Sequence, residues 1–433
     1  MQQIQMKDSN IDTNFFIPDV AVIGSGFSGL FSAVVAARRG KKVKIFTKGT
    51  GNLAIGGGTI DILGYSDSTK PISNPFAGID QLDSNHPYKK IDKKLLEEAS
   101  EFFLKFLEGK SFEYVGDLQT NKWLLTSVGT LKSSCFVPKT MDSDVLKSAK
   151  EILIVSFKGL KDYYHYSELV LKGLNKFFGI NSLKTPNVNM IEIETGLTKE
   201  RDISIIDIAR FLETEEGLEY FKNKISSYVQ ENAVVIIPPV LGVNPNYKIL
   251  ENLEKSLKCR FLETIGFLPA VSGLRLRAAF IQELKELGVP IIENAFIIGA
   301  DKEDEYISLV TKGIDKERKY KAKSVILATG GFLGGGIESS FDSINETVFK
   351  FPIKMLEDFS SLVADKIFCG APQKYAKLGV SVNNDLNPIN ELSEVINKNV
   401  YVVGCNLEGY DYCFEKSGNG VALLSGYKAG MSV

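Results

Sequence analysis

The sequence predicts an α/β fold, a Rossmann-like domain split by an inserted α/β or α+β domain, and three observations carry that prediction. Apolar runs at 20–23, 324–327 and 400–403 each empty into glycine within a few residues. The first opens into Gly24-Ser25-Gly26-Phe27-Ser28-Gly29 and then an Ala-rich run. Between the first run and the other two lies a long stretch in which strand and helix patterns alternate. Strands of the first kind, all outside that stretch, can share one sheet whose C-terminal edge carries a bound cofactor.

Asp19 to Ile23 reads as a buried strand and Leu30 to Ala37 as a helix, with the glycines between them as a tight turn. Gly24 permits the turn, Gly26 lets backbone N–H groups approach a pyrophosphate, and Gly29 lets the helix pack on the strand. Ser25, Phe27 and Ser28 share the turn, where the free N–H groups and positive end of the helix dipole favour phosphate. With 38 glycines in 433 residues, this spacing arises by chance about 0.3 times per chain. Context raises it, because a second strand at 43–46 follows Arg38-Arg39-Gly40 and completes a βαβ unit. Val20 to Ala37 is also 18 residues without a charge, the minimum for a membrane span. Its interspersed glycines and serines suit a soluble strand-turn-helix better than one continuous helix.

The residue that ends the second strand in dinucleotide folds is acidic and holds a ribose; here it is Thr47, followed by Lys48. A threonine lacks the two charge-assisted bonds of a carboxylate, which disfavours tight nicotinamide binding and also weakens the case for the adenosine half of FAD. Gly56-Gly57-Gly58-Thr59 ends a glycine-dense loop able to press its backbone against a flat ligand, and Ile60, Ile62 and Leu63 ask for burial beside it.

Turn residues dominate 71–88, and a different unit begins near 76. Apolar spacing predicts helices over 95–107, 163–178 and 204–229 (one or two), and strands over 152–157, 188–193 and 233–237. Ser204-Ile205-Ile206-Asp207 is a capping box that places Arg210 between Asp207 and Glu213, where an intrahelical ion pair competes with a ligand-binding role. Arg275 and Arg277 fall in the first turns of a helix running to Leu287, where cations oppose the dipole unless an anion sits there. Substrate phosphate, flavin phosphate and a solvated or partner-facing pair all remain open.

Strands return at 289–292, 296–298 and 307–310. The run at 324–327 ends in Thr329-Gly330-Gly331, and the run at 400–403 ends at Gly404, followed by Asp411 and by Gly420 at the start of a helix over 421–428. The discontinuous flavin-binding domain is therefore expected over 19–75 and 289–433, the inserted substrate or capping domain over 76–288, and a mobile tail over 1–18.

A net charge of −2 and no basic cluster interleaved with aromatics argue against nucleic acid as a partner. Five cysteines without a Cys-x-x-Cys pair supply no ligand set for zinc or an iron–sulfur cluster, so no metal site is expected in this chain. Together with a polar start lacking a signal-peptide pattern, they point to a reducing interior. Only two histidines are present, and His86 is a better candidate base than His165, which lies between two tyrosines.

The distributed motifs have a family likeness. Gly24 to Gly29, Gly56 to Asp61, His86-Pro87-Tyr88, Gly129-Thr130-Leu131, Gly159-Leu160-x-Asp162 and Ile208 to Leu212 occur in an order that continues through Leu268-Pro269, Gly273 to Leu276, Leu327 to Gly331, Gly334-Gly335-Gly336 and 404–411. In this the chain, from about 19 to 430, resembles the B subunits of anaerobic glycerol-3-phosphate dehydrogenases, within the fumarate-reductase-like flavoproteins. The resemblance implies a non-covalent flavin, FMN first and FAD as the alternative. It implies oxidation of sn-glycerol 3-phosphate to dihydroxyacetone phosphate beside a flavoprotein A subunit and an iron–sulfur C subunit. Electrons would pass towards a membrane quinone, and the chain would be cytoplasmic or held at the inner face of the membrane through a partner. Three roles stay open: a catalytic or electron-relaying flavoprotein subunit, a flavin-fold scaffold for the A and C subunits, and a flavin-dependent oxidoreductase of the fumarate-reductase type with another substrate.

Overall fold

The computed structural model describes residues 17–66, 70–161, 163, 186–197, 202–312, 316–354, 359–364 and 373–433. Most of the tail expected over 1–18, the helix expected over 163–178, His165 and Cys369 lie outside these residues.

Strand β1 (Val20–Ile23) leads through the glycine turn into helix α1 (Phe27–Arg38) and returns as strand β2 (Val43–Phe46). These strands lie inside a five-stranded sheet in the order Ile291–Ile292, β2, β1, Ser324–Leu327, Val400–Val402. All four pairings are parallel. Full burial of β1 on both faces is why Val-Ala-Val-Ile runs without polar alternation. The crossover from Ile291–Ile292 to Ser324–Leu327 is a three-stranded antiparallel sheet of Phe296–Glu303, Tyr306–Lys312 and Glu317–Ala322. Its last strand, Glu-Arg-Lys-Tyr-Lys-Ala, escapes pattern reading because most of this outer strand is exposed and charged.

A second sheet, ordered Arg260–Glu263, Val234–Ile237, Glu151–Phe157, Asn187–Ile193, is also wholly parallel. The α/β alternative for the intervening stretch is thus the one realised in this sheet. Helices Ile205–Leu212, Glu215–Ile225 and Lys248–Leu257 belong to the same stretch, as do an antiparallel hairpin of Lys122–Leu125 and Leu131–Ser134 and the antiparallel pair Tyr114–Gly116 and Phe136–Pro138 that flanks it in sequence. The region expected as one or two helices over 204–229 is two, divided at Thr214, which caps the second by accepting from Gly217 N.

Two long helices, Lys93–Glu108 and Val271–Glu286, pack on α1 through aromatic rings. Phe27 meets Phe103 edge-on at 5.8 Å and Phe280 at 5.7 Å, and Phe106 stacks on Phe280 at 5.0 Å. Arg38 and Glu283 add an ion pair at 2.7 Å. The C-terminal helix Gly418–Ser432 covers another side of α1, where a Cβ on Gly430 would come within 2.7 Å of the Val35 Cβ. Small residues on both helices permit that approach, and α1 is buried from Phe27 to Ala36.

Candidate functional site: a cleft across the strand ends

Parallel strands all point their C-terminal ends the same way, so the turns after β1, β2, Ser324–Leu327 and Val400–Val402 gather at one edge of the sheet. There they line a cleft of about 740 Å³. Gly24, Ser25, Gly26, Phe27 and Ser28 lie along it after β1, Thr47 and Lys48 after β2, Thr329 and Gly330 after Ser324–Leu327, and Gly404 after Val400–Val402. Gly56 and Gly58 of the glycine loop line it too.

The three glycines of the turn do different things. Gly24 has φ of +114°, and a Cβ there would sit 2.2 Å from the Ala328 carbonyl oxygen. A Cβ on Gly29 would sit 2.3 Å from the Gly24 oxygen, so this position serves close packing behind the cleft. Around Gly26 nothing lies within 4 Å of where a Cβ would stand. Protein packing does not demand glycine at 26; the space belongs to whatever enters the cleft. The α1 N-terminus at Gly26 has no side-chain cap and no acidic residue in its first turn, leaving backbone donors for an anion. These features fit the pyrophosphate of a flavin dinucleotide.

Thr47 stands where an acid would hold a ribose, but its hydroxyl is used inside the protein. It bonds the Ser25 hydroxyl at 2.8 Å and the Gly49 carbonyl, tying the loop after β2 to the glycine turn. Lys48 lies 4.6 Å from the centre of the Phe296 ring, so a cation and a flat apolar face close this end of the cleft. The opposite end is closed by Cys405, Tyr412, Gly418 and Asn419. Burial pushes the Cys405 thiol up to about 11, which keeps it protonated at neutral pH.

Other expected site residues lie off the cleft. Arg275 is corrected: it is 1% exposed, and its guanidinium is committed to Glu263 by bonds of 2.6 and 2.9 Å and to the Gly242 carbonyl by one of 2.7 Å. The anion beside this helix start is a carboxylate of the chain itself. Burial disfavours the charge on Glu263, but the Arg275 charge and hydrogen bonds outweigh it and hold the carboxyl below its ordinary value. Arg277 is half-buried and donates to the Thr50 carbonyl at 3.0 Å, on a loop that lines the cleft.

His86 is corrected as a base. It is 2% exposed, accepts from Tyr88 N through Nδ1 at 3.1 Å, and meets Glu415 through Nε2 at 3.1 Å. Both ring nitrogens are engaged in capping the Pro87–Lys90 turn and anchoring Glu415. Arg210 is corrected too: it is exposed on its helix and lines no part of the cleft. The ion pair weighed for it is not what its neighbours do, since Asp207 caps Ser204 and Glu213 accepts from Val243 N and Asn244 N.

Asp411 caps the Tyr412–Glu415 turn, and a Cβ on Gly420 would meet the Tyr88 hydroxyl at 2.1 Å, so both act in packing rather than along the cleft. Gly57 gives its carbonyl to Ser272 Oγ, and Gly331 its N–H to Asn406 Oδ1. Thr59 lies just behind Gly58, its carbonyl accepting from Asn419 Nδ2 at 2.7 Å. Sequence reading missed Asn406, a fully buried residue that also donates to the Thr329 hydroxyl and thereby fixes the Thr329-Gly330 turn. It also missed Phe296 and the Gly334-Gly335 pair, although the latter was visible in the motif series.

Among the described residues no helix is long and apolar enough to cross a membrane. The chain is similar along its length to relatives named as the B subunit of anaerobic glycerol-3-phosphate dehydrogenase. The Pectobacterium atrosepticum protein is 26% identical over 410 residues, covering 94% of this chain and 96% of the relative. The Vibrio cholerae protein is 24% identical over 420 residues, covering 95% of each. Among solved structures, the 3-ketosteroid Δ1-dehydrogenase of Sterolibacterium denitrificans matches at 12% identity and a TM-score of 0.43, over 96% of this chain and 99% of that one. The family model described as FAD binding domain matches residues 19–421. Because that match takes in both halves of the five-stranded sheet and everything between them, the chain belongs to the FAD binding domain family of flavin-dependent oxidoreductases.

Proposed function

We propose that this chain is the B-type flavoprotein subunit of a glycerol-3-phosphate dehydrogenase, with a flavin held non-covalently in the cleft. The observation that carries the reading is the cleft itself, open at Gly26 and continuing past the glycine turn to Lys48 and Phe296. That extension has room for an adenosine half, so FAD replaces FMN as the first choice, in keeping with the family the chain matches. The segments 19–75 and 289–433 would hold the flavin, and 76–288 would supply the substrate side.

When bound, the flavin supplies a two-electron acceptor for the hydride leaving C2 of sn-glycerol 3-phosphate, while the hydroxyl proton goes to a base. The backbone around Gly26 to Ser28 would hold the pyrophosphate, and the glycine loop would press on the flavin ring. Electrons would leave through a partner iron–sulfur subunit, and any membrane attachment would come through that partner.

One observation favours a second reading. His86 and Arg275 are committed to internal partners and Arg210 lies on an exposed face. A flavin-holding subunit that relays electrons or scaffolds a catalytic A subunit agrees with that arrangement. Acid extraction of the purified chain identifies FAD or FMN, and anaerobic addition of glycerol 3-phosphate then separates the two roles. Bleaching of the flavin by the chain alone supports the catalytic role; bleaching only in the assembled complex supports the relay.

A further inference from the structure

With the nucleotide half of a flavin over the end of β2, the redox half would lie towards the other edge of the sheet, where Cys405 follows Val400–Val402 and Gly58 and Asn419 line the same cleft. Behind these two residues sits a polar cluster that none of the roles above uses. Asn419 Nδ2 donates to the Thr59 carbonyl at 2.7 Å, and the Thr59 hydroxyl donates to Asp61 Oδ1 at 3.0 Å. Ser134 Oγ donates to the same Asp61 oxygen at 2.5 Å. Lys132 Nζ donates to Thr59 Oγ1 at 2.8 Å and lies 2.6 Å from Asp61 Oδ2.

Thr59, Asp61 and Asn419 come from the segments with the flavin sheet, and Lys132 and Ser134 from a hairpin of the intervening stretch. The cluster therefore ties the hairpin to the glycine loop directly behind the cleft lining at Gly58 and Asn419. It differs in kind from the Arg275–Glu263 pair, whose side chains are 1% and 0% exposed. Lys132 is 25% exposed and Asp61 14%, so solvent or a small ion reaches them. Both Asp61 oxygens face donors within the cluster, and the Thr59 hydroxyl both gives and receives a bond. Lys132 uses two of its three ammonium donors and keeps one.

We infer that Lys132 is a substrate-binding residue whose remaining N–H donates to the charged group of a small phosphate monoester, with Asp61 and Thr59 positioning its ammonium. The inference rests on the proposed dehydrogenase reading for the identity of the substrate, but the anion site itself is separable from it. No bond is made or broken in this step; the lysine holds the anionic group.

The probe is inorganic phosphate, titrated calorimetrically into the purified full-length chain at fixed ionic strength with chloride as the control anion. Saturable binding is expected in the native protein and in Lys132→Arg. Lys132→Met should bind about tenfold more weakly or worse, as expected for losing a charge-assisted bond. Flavin content and melting temperature serve as checks on folding. Equal phosphate affinity in folded Lys132→Met and the native chain, or no saturable binding in the native chain, overturns the site. If phosphate binds through Lys132 while glycerol 3-phosphate neither competes nor reduces the flavin, the anion site stands and the substrate reading falls.

Discussion

At the scale of single residues, two of the three groups that the sequence marks as catalytic, Arg275 and His86, are engaged with the protein, and Arg210 lies exposed away from the cleft. Arg275→Met would leave Glu263 buried without its partner, at a cost of about 3–5 kcal/mol seen as a lowered denaturation midpoint. Adding Glu263→Gln to that variant should recover part of the loss, since it removes the orphaned charge. The same pair sets an acid limit. Glu263 has a folded value below its ordinary 4.5, so its contribution is complete above that pH and is lost as pH falls through the folded value. Unfolding free energy measured from pH 6 downwards should drop more steeply in the native chain than in the doubly substituted one. His86→Ala removes a partner of Glu415 and the acceptor for Tyr88 N, and should lower stability without abolishing flavin uptake. Loss of hydride transfer in a variant with native flavin content and melting temperature would restore His86 as a base.

At the scale of elements, the turn from β1 to α1 separates packing from ligand binding. Gly26→Val introduces a side chain where no protein atom lies within 4 Å of the Cβ position, at a backbone φ of −73° that any residue adopts. The fold should survive with flavin occupancy lost, read from the visible absorbance of the purified protein. Gly24→Ala and Gly29→Ala place a Cβ 2.2 and 2.3 Å from backbone oxygens, so these variants should lose stability whether or not flavin is present. Retention of full flavin by Gly26→Val would sink the assignment of the cleft. The contact between α1 and Gly418–Ser432 makes a parallel case: Gly430→Leu would drive a side chain into Val35 and should lower the melting temperature by several degrees.

At the scale of the whole molecule, the proposed role has electrons leave through a partner subunit. The end of β2 carries a threonine whose hydroxyl is internally bonded, with Lys48 and Phe296 beside it, rather than a free carboxylate for a nicotinamide ribose. On the proposed reading, the assembled enzyme is expected to reduce a quinone or an artificial dye with glycerol 3-phosphate but not NAD. Steady NAD reduction by the purified chain would contradict both the partner requirement and the family reading of its role. By itself the sequence determined the parallel sheet and the glycine turn, because buried β-branched runs and a Gly-x-Gly-x-x-Gly spacing are local patterns whose physics needs no distant partner. It also determined which turns meet along the cleft, since strands running the same way must bring the turns at their ends together. Only the tertiary structure decided which polar residues face the cleft. Arg275 and Glu263, twelve positions apart, pair their charges through space, and His86 and Glu415, 329 positions apart, share a hydrogen bond. Lys132 meets Asp61 through a hairpin laid against the glycine loop, and a linear pattern carries no information about such pairings.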